Sequence, residues 1–301
     1  MVVLVTGATG LIGKALVKQL LQKGHTVHYL TTSSRKLQHT ANYKGFLWNP
    51  TDYYLDEACL ENVQIIFHLA GATIAKRWTT SYKAEILSSR LATAQTLYDY
   101  LRKVPNQVKQ LIAASGTAIY ANHPSKNYLE TESQLSHSFL GEVVQKWETQ
   151  TSKFSSLGIK VCQLRTALVF ASHGGALPQL VNPIRLGLGS VMGTGNQKLS
   201  WIHLQDVVAM YLFAMDNSWE GVYNAVAPEV ISNRVQTQLL AKILKRSLWM
   251  PATPQWLMQL ILGEMHQLLF TDTRISCQKA SDAGFVFHFP SAKLALQNCL
   301  K

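Results

Sequence analysis

The sequence predicts an α/β fold: a doubly wound parallel sheet carrying a small, mostly helical C-terminal part. Two observations predict the sheet. Strand-like and helix-like stretches alternate at short intervals up to about residue 170, and the strand-like ones are largely unbroken apolar runs, as expected of strands buried on both faces. A third predicts the appendage: beyond Phe170 the chain turns Gly- and Pro-rich and then mostly helical.

Val2 to Val5 reads as a buried first strand, and Lys14 to Lys23 as a helix with Leu16, Leu20 and Leu21 on one face and Gly24 as its stop. "HTVHYLTT" is a second strand and "VQIIFHLAG" an apolar third. "SYKAEILSSRLATAQTLYDYLRK" is a long helix, and "QLIAASGTAIY" another buried strand. "GEVVQKWETQTSKFSSLG" is a helix ending at Gly158, and "IKVCQLRTALVF" a strand. "LSWIHLQDVVAMYLFAMDN" restores a strand-to-helix step, and "GVYNAVAP" adds one more strand. "VQTQLLAKILKRS" and "PQWLMQLILGEMHQLLF" read as helices, and the tail closes on a short one. The expected division is a sheet domain over residues 1–227, with a lid insertion at about 171–200, and a C-terminal lid domain over 228–301.

Composition narrows the classes. With 47% hydrophobic and 15% charged residues, the chain is globular rather than disordered. No apolar run approaches the ~20 residues that cross a bilayer. The opening "MVVLVTGATGLIG" lacks a basic leader region and runs straight into glycines, so it reads as a strand, and a cytoplasmic protein is expected. Cys59, Cys162, Cys277 and Cys299 are widely spaced, so structural thiols and no metal are expected. The net charge of +11 is dispersed, without a Lys/Arg block, which argues against a nucleic-acid partner.

Gly7, Gly10 and Gly13 form G-x-x-G-x-x-G between the first strand and the first helix. A pyrophosphate must approach backbone N–H groups at a helix N-terminus, and side chains at those glycines would block it. Thr9, Leu11 and Ile12 complete the loop, with Leu69, Ala70 and Gly71 of "HLAG" facing it. The second strand ends without the Asp or Glu that would hold a ribose 2′-hydroxyl. Thr32, Ser33 and Arg35 follow instead, and hydroxyls plus a cation suit a 2′-phosphate. NADP(H) is therefore the expected cofactor.

Together, "VTGATGLIG" and "IIFHLAGATI" resemble the extended short-chain dehydrogenase/reductase superfamily, also called the NAD-dependent epimerase/dehydratase family. "AKRWTTSYKAEILSSR", "FLGEVVQKWE", "GGALPQLVNPIRLGLGSVMGTGNQKLSWIHLQDV" and "GEM…DAGFVF" are similar to one atypical branch of it, with its own C-terminal domain. The resemblance spans nearly the whole chain. It implies a Rossmann domain, an NADP-type cofactor and a small substrate domain, but no particular reaction; by analogy it admits a homodimer through two helices.

In that family a Tyr moves a proton, a Lys four residues on supports it and holds the ribose, and a Glu often follows four later. Glu148 fits the Glu. Counting back puts Val144 at the Lys position and Leu140 at the Tyr position, and neither carries a transferable proton. The family's Ser/Thr position falls on Gly116. Substitute acid/base candidates are Ser115, Tyr120, Glu142 and His203. Lys83 and Arg90, seven apart on a helix, share a face, and Arg90 also falls near the cofactor loop. With Arg77, Trp78, Arg165 and Trp201 they make candidates for binding a small, anionic substrate. Two functions are expected: an NADP(H)-dependent oxidoreductase or epimerase-like enzyme, or a non-catalytic NADP(H)-binding redox sensor.

Overall fold

The computed structural model describes residues 1–301. In chain order the strands are β1 (Val2–Thr6), β2 (Thr26–Thr31), β3 (Tyr43–Asn49), β4 (Tyr54–Leu55), β5 (Val63–His68), β6 (Gln110–Gly116), β7 (Asn127–Tyr128), β8 (Lys160–Thr166), β9 (Leu168–Phe170), β10 (Lys198–Leu199), β11 (Trp201–His203), β12 (Gly221–Ala225), β13 (Ile231–Ser232) and β14 (Arg274–Ile275). The helices are α1 (Leu11–Gln22), α2 (Thr80–Lys103), α3 (Phe139–Ser152), α4 (Leu177–Arg185), α5 (Leu204–Asp216), α6 (Asn233–Ile243), α7 (Gln255–Leu262), α8 (Gln278–Asp282) and α9 (Ala292–Cys299).

Eight strands form one sheet in the order β12-β8-β6-β5-β1-β2-β3-β4, parallel except for the β3–β4 pair. The fold is thus a Rossmann-like α/β sheet with a helical C-terminal region. The chain winds outward one way from β1 to β3 and the other way from β5 to β12. The switch lies between β1 and β5, and there the carboxyl ends of the strands open a crevice for a ligand.

Each face of the sheet carries its own core. On one face α1 and α5 bury Leu16, Leu20, Val207 and Tyr211 against Val3, Val5 and Phe67. On the other, α2 buries Ala94 and Leu97 against Leu4, Ile66 and Leu111. A third cluster, built on Phe170, Trp201, Leu240 and Leu296, holds the C-terminal region together. That region is stitched back onto the sheet domain: β14 pairs with β7, and Ala280 and Phe285 enter the α1/α5 core.

Three elements differ from expectation. The strand expected over "IKVCQLRTALVF" divides at Ala167, because the chain leaves the main sheet there and pairs β9 with β11. The helix expected over "PQWLMQLILGEMHQLLF" stops at Gly263, whose φ of +59° belongs to the left-handed region, and continues as 3₁₀ turns to Leu269. The edge strands β3 and β4 lacked a signal: "YKGFLWN" interleaves Gly and Lys with its apolar residues, and burial against β2 makes the strand.

Candidate functional site

The glycine loop closes against β5. Gly7 has a φ of +68°, and a Cβ there would lie 2.7 Å from the Leu69 carbonyl oxygen. A Cβ on Gly13 would overlap the Gly7 carbonyl. Gly10 begins α1 with no side-chain cap and no acidic residue in the first turn, so the first amides of α1, from Leu11 to Gly13, lack intrahelical acceptors. This cradle fits an anion carried by the helix terminus. Thr6 fixes it from beneath: its Oγ1 accepts the Leu69 and Ala70 N–H groups at 3.0 and 3.1 Å. From above, the turn at Gly174 and Gly175, both with positive φ, comes against Leu11; a Cβ on Gly175 would lie 3.1 Å from its Cδ2. The adjacent glycines of "HGGA" were the only sequence signal of that contact.

Thr32 and Arg35 lie exposed just past β2, with Ser33 half-buried between them. Arg90 reaches from α2 to Gly71, donates Nη1 to the carbonyls of Ala72 and Ile86, and lies over the Trp147 ring at 5.0 Å. No carboxylate pairs with it, and burial lowers its pKa to about 10. Lys83 goes elsewhere: it pairs with Glu264 at 2.7 Å and sits over Phe139. Phe139 and Trp147 are eight residues apart on α3, about 12 Å along its axis. The shared face of Lys83 and Arg90 therefore does not converge on one ligand.

Ser115, Tyr120 and Arg165 meet, but in a buried network. Ser115 donates to Glu148 Oε1 at 2.5 Å; Arg165 donates to both oxygens of the same carboxylate at 2.8 Å. Arg165 Nη1 also donates to the Tyr120 hydroxyl at 2.9 Å, and that hydroxyl donates to Asn224 Oδ1 at 2.7 Å. Asn224 in turn donates from Nδ2 to the Ser276 carbonyl and from its backbone amide to Glu130. Burial would lower the Arg165 pKa, but the bonds and charge of Glu148 and Tyr120 outweigh it and raise it. Burial also raises the Tyr120 pKa against the opposing pull of Arg165. Both groups help to hold β6, β8 and β12 to the C-terminal region.

The remaining candidates scatter. His203 begins α5, where its Nδ1 accepts the Gln205 N–H and its ring packs on Phe289; burial lowers its pKa. Trp201 is fully buried and stacked on Phe170. Both belong to the interior of the C-terminal region. Glu142 is exposed in the first turn of α3, and Arg77 is exposed before α2.

A cleft of about 450 Å³ opens between the sheet domain and the C-terminal region. One wall is the segment after β6, at Ala118 to Asn122; another is the start of α3, at Ser138 and Leu140; Trp78 and residues Gln267 to Thr271 close it. Leu140, which the sequence count put at the family's Tyr position, lines the cleft. Val144, which the same count put at the Lys position, packs toward Gly116: a Cβ on that glycine would lie 3.4 Å from Val144 Cγ2. Apart from Trp78, Tyr120 and Leu140, the lining escaped sequence reasoning, because Asn, Gln and Ser in irregular segments carry no pattern.

Residues 3–226 match the NAD dependent epimerase/dehydratase family. The chain belongs to that family. Residues 253–299 match a second domain described only as of unknown function, DUF1731. An epimerase family protein of Staphylococcus saprophyticus is 32% identical over 299 residues, covering 98% of each chain. The human epimerase family protein SDR39U1, crystallised with NADPH, is 27% identical with a TM-score of 0.87 and covers 100% of this chain and 99% of its own. The UDP-glucose 4-epimerase of Thermotoga maritima, crystallised with UDP-glucose, is 21% identical with a TM-score of 0.76 over 100% of this chain and 97% of that one. The last is a likeness of fold alone. No helix of the chain is long and apolar enough to cross a membrane.

Proposed function

We propose that the protein is an NADP(H)-dependent oxidoreductase of epimerase-like fold, acting on a small molecule in the cleft beside β6. The observation that carries this reading is the glycine cradle, where Gly7 and Gly13 leave no space for a side chain and the start of α1 is uncapped. The cofactor, when bound, supplies or accepts a hydride. Gly7, Gly10 and Gly13, with Thr9, Leu11 and Ile12, would hold its pyrophosphate against backbone amides. Thr32, Ser33 and Arg35 would hold the 2′-phosphate, and Arg90 would lend positive charge beside Gly71. The human relative's NADPH supports the same choice.

Leu140, in the cleft lining, and Val144, packed toward Gly116, contribute no proton. In carbonyl reduction a bound cofactor would supply the hydride to the carbonyl carbon, and solvent at the cleft mouth would supply the proton to the oxygen. The same loss of a proton relay favours a second reading, a redox sensor that binds NADP(H) without turnover.

The test is a titration with NADPH and NADH, followed by nicotinamide fluorescence. NADPH binding at least tenfold tighter, about 1.4 kcal/mol, is expected. Equal affinities would remove the NADP assignment, and no binding of either would remove the reading as a whole. Oxidation of bound NADPH by any carbonyl compound would then separate the enzyme from the sensor.

A further inference from the structure

We infer that the cleft takes an uncharged ligand, a hydroxylated or carbonyl compound with an apolar face, and does not take a nucleotide sugar. This rests on the oxidoreductase reading, because it names the substrate class of that same cleft. It also reverses the anionic substrate expected from Arg77 and Lys83.

None of the thirteen residues lining the cleft is acidic or basic. A nucleoside diphosphate carries two or more negative charges, and moving them from water into a cleft without a cation is costly. The cations expected nearby are committed or lie elsewhere. Lys83 lies outside the lining and pairs with Glu264 at 2.7 Å. Arg165 is locked to Glu148 in the interior. Arg77 and Arg90 are outside the lining.

The lining instead offers neutral groups of both polarities. Asn122 engages only its oxygen within the chain, accepting the Asp272 N–H at 2.9 Å, and so keeps an NH₂ donor. Gln255 turns its Nε2 toward His266 and keeps an acceptor oxygen. Amide donors and acceptors together match hydroxyl and carbonyl groups. Trp78, Leu140 and Phe270 supply flat or branched apolar surface for the rest of the ligand. About 450 Å³ is the size of a small-molecule site.

The experiment is ligand-observed NMR on the full chain saturated with NADPH. The probes are a fragment set balanced between neutral hydroxy-carbonyl compounds and carboxylate or phosphate esters, with UDP-glucose included. Wild type is compared with Gln267→Trp, which changes an exposed side chain and fills the cleft. Neutral probes are expected to bind wild type and to weaken about tenfold or more in the variant. UDP-glucose and the anionic esters are expected to show no binding that the variant alters. The inference is overturned if anionic probes show variant-sensitive binding, or if no neutral probe distinguishes the two proteins. NADPH affinity, measured on the same samples, keeps the two levels apart. Loss of NADPH binding defeats the oxidoreductase reading, whereas NADPH binding with anions in the cleft defeats only the substrate class.

Discussion

Arg165 grips Glu148 with two prongs of its guanidinium, Nε to Oε1 and Nη2 to Oε2, each at 2.8 Å and nearly out of solvent. Removing one partner would leave the other charged and buried. Glu148→Gln and Arg165→Met are each expected to cost about 3–5 kcal/mol in urea unfolding. The double variant Glu148→Met with Arg165→Met should recover part of that loss, since no lone charge remains. Additive losses would show that the pair is not coupled.

Gly13 tests the cradle. Gly13→Ala pushes a Cβ into the Gly7 carbonyl, so loop or helix must shift. NADPH affinity should fall on the order of 100-fold, about 2.7 kcal/mol. Fluorescence titration reads this directly, and an unchanged affinity would mean that the cofactor does not use the loop.

Arg35 is exposed and bonds nothing within the chain, so its removal should leave the fold unchanged. Arg35→Ala is expected to cost about 1.5–3 kcal/mol of NADPH binding, the worth of a hydrogen bond to a charged group, with NADH affinity unaffected. A parallel loss for both cofactors would place Arg35 away from the 2′-phosphate.

The cradle and sheet were legible because their signals are local: three glycines at fixed spacing and apolar runs bounded by turns. Counting back from Glu148 places Leu140 and Val144 where the family carries its Tyr and Lys, and Leu140 lines the cleft. The partners of Ser115, Tyr120 and His203 were not legible. A polar side chain at a strand end has the same appearance in sequence whatever it bonds, and Glu148, Asn224 and Gln205 lie 33, 104 and two residues from the groups they bond.

His68 sits fully buried at the end of β5, and burial lowers its pKa to about 4. Thr6 Oγ1, already accepting two amides, gives its own proton to His68 Nδ1 at 3.0 Å. The ring is therefore neutral when folded, while the unfolded value is near 6.5. A lowered His pKa stabilises the fold fully above the unfolded value and progressively less as pH falls from about 6.5 toward 4. Stability should drop by about 2 kcal/mol between pH 7.5 and pH 5 from this group. His68→Asn should flatten that part of the pH profile, and an unchanged profile would exclude His68 as its origin.

Lys83 and Glu264 tie the C-terminal wall of the cleft to α2, and the tie is weak by design of its surroundings. Its side chains are 29% and 53% exposed, so the pair is worth roughly 0–1 kcal/mol and is screened by salt. Beyond it little holds α7, which buries none of its residues; Trp256, Leu260 and Ile261 are 62%, 72% and 58% exposed. Segments with few buried contacts open at low free energy. Lys83→Met should therefore change global stability by less than about 1 kcal/mol. Amide exchange across residues 255–269 should nevertheless quicken several-fold, on the order of that free energy. High salt should reproduce the effect in wild type and add nothing to the variant. Exchange that ignores both would assign the wall's order to contacts along α7 itself.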